Sequence, residues 1–142
     1  MQTAPHIRLV LWKTAKAVDK IDRASIAETG LHISDFTILE VLLHKGPLPI
    51  SVIGEKVLLT SGSMTAAVNR LERRGLVRRS QDPSDGRFFH VYLTAAGRKE
   101  IKRAYAAHEE NLEAVAGTLT DRERDELVRL LKKLGCHADA MV

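Results

Sequence analysis

The chain has 142 residues and a mass of 15.8 kDa, the length of one ordinary domain and too short for two that fold independently. With 44% hydrophobic and 28% charged residues, 9 Gly and 4 Pro, it falls outside the disordered, fibrous and disulfide-stapled classes and can bury a core. The formal net charge of +4 is unevenly placed: residues 54–103 hold 11 Lys+Arg against 5 Asp+Glu, and the flanks lean acidic, the distribution expected of a nucleic-acid-binding core between non-binding ends. The apolar run Leu9-Val10-Leu11-Trp12 is far shorter than the ~20 residues that span a bilayer, and no secretory leader opens the chain, so no membrane is expected. One cysteine, Cys136, fits a reducing compartment, and the expected location is cytoplasmic.

In chain order, residues 5–27 place Ile7, Val10, Leu11, Thr14, Val18 and Ile21 at steps of three and four, an amphipathic helix closed by Thr29-Gly30. Ser34 reads as the N-cap of a second helix, with Asp35 at its positive end and Phe36, Leu39, Leu42 and Leu43 as its stripe, up to Gly46-Pro47. After a turn over residues 46–49, Ile50, Ile53 and Val57 predict a two-turn helix, and Leu58-Leu59-Thr60 a tight turn into a helix over residues 61–74. That helix buries Met64, Val68 and Leu71 with Ala67 beside them and turns Gly62, Ala66, Asn69, Arg70 and Arg73 outward. Gly75 stops it. Residues 76–80 and 87–93 read as strands around the turn Asp82-Pro83-Ser84-Asp85-Gly86. Thr94 caps a long helix with the stripe Ile101, Tyr105, His108, Leu112 and Val115, ended by Gly117. Thr120 and Glu123 form a capping box that opens a last helix lined by Leu127, Leu130, Leu131 and Leu134.

The predicted class is mainly α with a small β-hairpin wing (α+β). Two short helices, a tight turn, a third helix with a small polar outer face and a basic hairpin describe a winged helix-turn-helix. The run Leu71-Glu72-Arg73-Arg74-Gly75-Leu76-Val77-Arg78-Arg79, the Asp85-x-Arg87 wing, and Leu93-Thr94 followed by Gly97 resemble the MarR family of dimeric transcription regulators. The motif covers about residues 60–97, and the helical order is similar over nearly the whole chain. The resemblance implies a single domain, 1–142, with the DNA-binding core at 34–93 and dimerisation helices at 5–29 and 94–138. It implies a homodimer on a pseudo-palindromic double-stranded operator, and a ligand-responsive repressor. Burying three amphipathic end helices against a second copy also has a physical reason, because one small core cannot cover all their apolar stripes.

DNA recognition needs short polar groups near a helix N-terminus and longer ones further along. Ser61, Ser63 and Thr65 stand near the start of the third motif helix, Gly62 and Ala66 let its backbone approach, and Asn69, Arg70 and Arg73 follow. Asn suits adenine and Arg suits guanine, although either also grips phosphate. At the hairpin tip Asp85 can orient Arg87, which the resemblance places in the minor groove. The resemblance also implies a small aromatic or phenolic effector, with Trp12, His32, Phe36 and Tyr105 as its expected lining. No catalytic motif is present, so no enzyme activity and no cofactor is expected. His6, His32, His44 and His108 lack metal-ligand spacing and Cys136 lies far from the first helix, which leaves a zinc- or redox-responsive regulator of the same fold as the weaker alternative. A small enzyme or a non-DNA interaction module is the alternative from another class.

Overall fold

The computed structural model describes residues 1–57, 61–81, 84, 86 and 89–142, with Ser61 described in its backbone only. Its elements are α1 (Ala4–Glu28), α2 (Ile33–Lys45), β1 (Leu48–Pro49), α3 (Ile50–Val57), α4 (Ser61–Arg73), β2 (Val77–Gln81), β3 (Phe89–Leu93), α5 (Ala95–Ala116) and α6 (Asp121–Ala140). The expected turn at Leu58-Leu59-Thr60, and Asp82, Pro83, Asp85 and Arg87 of the expected hairpin turn, lie outside the described residues.

Among the described residues the observed α+β architecture is six helices around a small antiparallel sheet of order β1-β3-β2. The sequence reading missed β1. Only two residues long, it shows no alternation, yet Leu48 and Pro49 pair with Val91 and His90 and fix the α2–α3 connection to the wing. The hairpin strands pair Val77 with Leu93 through to Gln81 with Phe89. Leu76, expected in the first strand, belongs instead to the helix stop. Its N–H donates to the Leu71 carbonyl at 3.0 Å and the Gly75 N–H to that of Glu72 at 3.0 Å, with Gly75 at φ +75°. This double closure needs a left-handed residue, which glycine supplies without strain.

Another correction concerns the start of α2. The helix begins at Ile33 with His32 at the N-cap position and no side-chain cap bond. Ser34 is not the cap: its hydroxyl accepts from Arg70 at 3.2 Å. The caps at Thr94 and Thr120 are found where the local pattern placed them, the second as a full capping box with Glu123.

The core gathers Ile26 of α1, Phe36, Ile38, Leu39 and Leu42 of α2, Ile53 of α3, Met64, Val68 and Leu71 of α4, Val77 and Val91 of the sheet, and Ile101 and Ala104 of α5. Outside this core, Ile7, Val10, Leu11, Trp12, Val18 and Ile21 of α1 and Leu127, Leu130, Leu131 and Leu134 of α6 are exposed, and α6 buries no residue at all. No helix among the described residues is long and apolar enough to cross a membrane.

Candidate nucleic-acid interface

Burial of Met64, Ala67, Val68 and Leu71 fixes which side of α4 faces outward. Gly62, Ser63, Thr65, Ala66, Asn69 and Arg73 are all exposed on it. Among the described residues nothing lies within 4 Å of a Cβ built on Gly62, so none of them covers the first turn of α4 there. Ser61 opens the helix, and its side chain lies outside the described residues. Exposed Arg78 on β2 extends the basic surface toward the wing, where Gln81 Nε2 donates to the Gly86 carbonyl at 2.6 Å.

Two polar clamps hold this helix. On one side Asp35, fully buried, receives Arg70: Nε lies 3.2 Å from both carboxylate oxygens and Nη2 bonds Oδ1 as well. The bond to Asp35 raises the Arg70 pKa above its ordinary value. Arg74 Nη1 approaches the same carboxylate at 3.7 Å. On the other side Arg79 of β2 donates its backbone N–H to Glu72 at 3.1 Å and Nη1 to the same carboxylate at 2.9 Å, while Nη2 bonds the Asn69 carbonyl oxygen. Of the residues expected to meet DNA, Arg70 and Asn69 are therefore already engaged inside the protein. The partners Asp35 and Arg79 carried no sequence signal for this role.

Thr94 joins the far end of α4 to α5. Its hydroxyl donates to the Gly75 carbonyl at 2.6 Å and accepts from the Gly97 N–H at 3.0 Å, and its own N–H donates to the Leu76 carbonyl at 3.1 Å. Gly97 packs so closely that an added Cβ would lie 1.9 Å from the Leu76 carbonyl oxygen.

A cavity of about 420 Å³ opens between α1, α2 and α5, walled by Ile26, Phe36, Tyr105 and Leu112 and edged by the carboxylates of Asp22, Glu40, Glu109 and Glu113. Buried His108 forms its floor, with Nδ1 2.9 Å from Ser25 Oγ and Nε2 3.2 Å from Asp22 Oδ1, and its ring meets Phe36 edge-on. Burial holds the Glu40 carboxyl above its ordinary pKa, opposed by His108 and His44 and reinforced by Asp22. Burial also raises the Tyr105 hydroxyl, with Glu109 and Glu40 adding to it. Of the four expected lining residues, Phe36 and Tyr105 are here and the other two are not. Trp12 sits exposed on α1 under the Lys16 ammonium, and His32 is exposed at the start of α2. The sequence stripe on α1 could not tell a cavity wall from an outer face. Among the described residues no group of three or more His, Cys, Asp and Glu is placed to hold a metal ion.

The MarR family model matches residues 31–88, the segment that carries α2, β1, α3, α4 and β2 and ends just before β3. The chain is 31% identical over 142 residues to the HTH-type transcriptional regulator YkoM of Bacillus subtilis, covering all of this chain and 92% of that protein. A crystal structure of a probable transcriptional regulator from Pseudomonas aeruginosa superposes with a TM-score of 0.73 at 30% identity, over 90% of this chain and 96% of that one. NadR, solved in complex with 4-hydroxyphenylacetate, shares the fold with a TM-score of 0.78 at 24% identity, over 94% and 96%. The open, small and polar face of α4, the basic wing beside it and these likenesses agree: the chain belongs to the MarR family of helix-turn-helix transcription regulators and binds DNA to regulate transcription.

Proposed function

We propose that the chain acts as a homodimeric, ligand-responsive repressor on a pseudo-palindromic operator. The observation that carries the dimer is the pair of uncovered apolar faces on α1 and α6, which converge on a groove lined by Ile7, Val10, Leu11, Leu127, Leu131 and Leu134. A second copy of the same faces covers them with one self-complementary contact. Two copies of α4 then meet successive major grooves. In this reading Ser61, Gly62, Ser63, Thr65, Ala66, Asn69 and Arg73 serve the groove, and Asp85 and Arg87, which lie outside the described residues, are the wing residues that the sequence resemblance assigns to DNA. Gly62, covered by none of the described residues, supports close backbone approach, and the helix N-terminus favours phosphate.

The effector site in this reading is the cavity beneath α2. Phe36 and Tyr105 supply aromatic walls of the kind that hold small planar ligands, and Tyr105, kept protonated, supplies a hydrogen-bond donor. The carboxylates of Asp22, Glu40 and Glu109 set the charge preference, Glu113 being paired with Arg124 at 2.8 Å. An aromatic acid meets repulsion there, whereas a neutral phenol or an aromatic amine does not. NadR was solved with an acid, 4-hydroxyphenylacetate, and the preference expected here is the opposite.

Sedimentation at micromolar concentration combined with footprinting on a selected duplex tests the reading. The expected outcome is a dimer protecting two half-sites about 10 bp apart. A species of 15.8 kDa protecting one half-site refutes it. For the cavity, tyramine and 4-hydroxyphenylacetate are near-isosteric and opposite in charge. The amine should bind more tightly and release the duplex, and failure of both removes the effector assignment.

A further inference from the structure

We propose that Asp35 is a positioning residue for operator recognition: it sets the rotation of α4 through Arg70 and Arg74 and never touches DNA. The proposal rests on α4 being the element that reads the operator. Asp35 lies in the first turn of α2 with a side chain that is 0% exposed, against 38% for Arg70 and 46% for Arg74. A carboxylate with no access to solvent cannot meet a phosphate or a base edge. It can remain charged there only if it is paired, so its partners are obliged to stay.

Arg70 lies in the last turn of α4 and Arg74 just past its end, four residues on, with its N–H still bonded to the Arg70 carbonyl. Arg70 approaches as a planar fork, Nε to both oxygens and Nη2 to Oδ1 and to Ser34 Oγ. Fork-to-carboxylate pairing is directional, whereas the burial of Met64, Val68 and Leu71 is favourable by area and carries no direction of its own. Asp35 therefore fixes an angle that hydrophobic burial alone leaves loose. Across α4 the Arg79 bracket to Glu72 and Asn69 ties the same helix to the hairpin. With both clamps closed, helix and wing meet the duplex as one body, with the Arg70 guanidinium committed to α2 and not to a base.

The test uses the full-length protein, a duplex that the wild type selects from a random pool, and a random duplex of equal length. Asp35→Asn keeps the shape and removes the charge, and its freed arginines are already part-exposed, so the fold is retained. The ratio of selected to random affinity should fall by about tenfold or more, with the salt slope unchanged because no phosphate contact is lost. Arg70→Lys, a substitution at a part-exposed site, keeps the charge but not the fork, and should lower the ratio similarly. In the double variant the two losses should coincide instead of adding.

An intact ratio in Asp35→Asn, with only the melting temperature reduced, shows a merely structural carboxylate and overturns the proposal. Full rescue by Arg70→Lys overturns it too, as does a salt slope lowered in Arg70→Gln, which would place Arg70 on a phosphate. A wild type that selects no sequence removes the operator reading itself, and the proposal with it. A wild type that selects a duplex which Asp35→Asn still prefers equally removes the proposal alone.

Discussion

At residue scale the tightest constraint is Gly97. Its hydrogen lies where a Cβ would come 1.9 Å from the Leu76 carbonyl oxygen, and that oxygen is held by the Thr94 N–H. Backbone cannot yield as a flexible side chain does. Gly97→Ala should therefore destabilise by about 1–3 kcal/mol, lowering the melting temperature by roughly 3–12 °C in calorimetry. An unchanged melting point would mean that α5 can shift away from the hairpin. Glu40 gives the opposite sign. Burial raises its pKa in the folded protein above the ordinary carboxyl value, so the folded state binds protons more readily than the unfolded one, and stability contributed by this group is lost as pH rises through the folded pKa. Glu40→Gln should thus be more stable than wild type at pH 7, and the gain should vanish below about pH 4. A gain equal at pH 4 and pH 7 would have another origin than ionisation.

At the scale of elements, the recognition helix and the wing should fail in different ways. Arg87→Ala should weaken binding to selected and random A·T-rich duplexes alike and lower the salt slope by ~0.9 per subunit. Asn69→Ala should instead lower discrimination at one base position by ~1–3 kcal/mol with the slope preserved. Because Asn69 Oδ1 is held by Arg79, Arg79→Ala should reproduce part of the same loss. An Asn69 variant that loses slope and keeps discrimination would move Asn69 from base to phosphate. These elements were readable in the sequence wherever the signal was local. The stripe of Met64, Val68 and Leu71, the glycine stop at Gly75, the Thr94 cap and the Thr120–Glu123 capping box are each encoded within a few residues. The clamps were not. Asp35 and Arg70 are 35 residues apart, Ser25 and His108 83 apart, and an acidic residue in a first turn reads as a dipole partner whether it is buried or exposed. Likewise β1 became a strand only because Val91 and His90 happened to lie beside it.

For the whole molecule, the apolar residues left exposed on α1 and α6 are the largest departure from a self-sufficient fold. Leu131→Glu places a charge in the middle of that surface and should convert the dimer to a monomer in sedimentation, with operator affinity falling by about two orders of magnitude as the two half-sites lose their linkage. A dimer that survives this change would have to be held elsewhere. No residue of the 20 in α6 is fully buried within its own protomer, and a part-exposed ion pair, Arg124 Nη1 to Glu113 at 2.8 Å, is a weak hold on that helix in a lone chain. Dissociation would then expose a degradable tail, and dilution would shorten the lifetime of the protein as well as empty its operator. In limited proteolysis across a dilution series, cuts in α6 should accelerate as concentration falls, while equal rates at every concentration would sever protection from pairing. If the chain pairs and represses as proposed, a cell that slows its synthesis clears it faster the scarcer it becomes, and transcription is released more abruptly than mass action on DNA alone would allow.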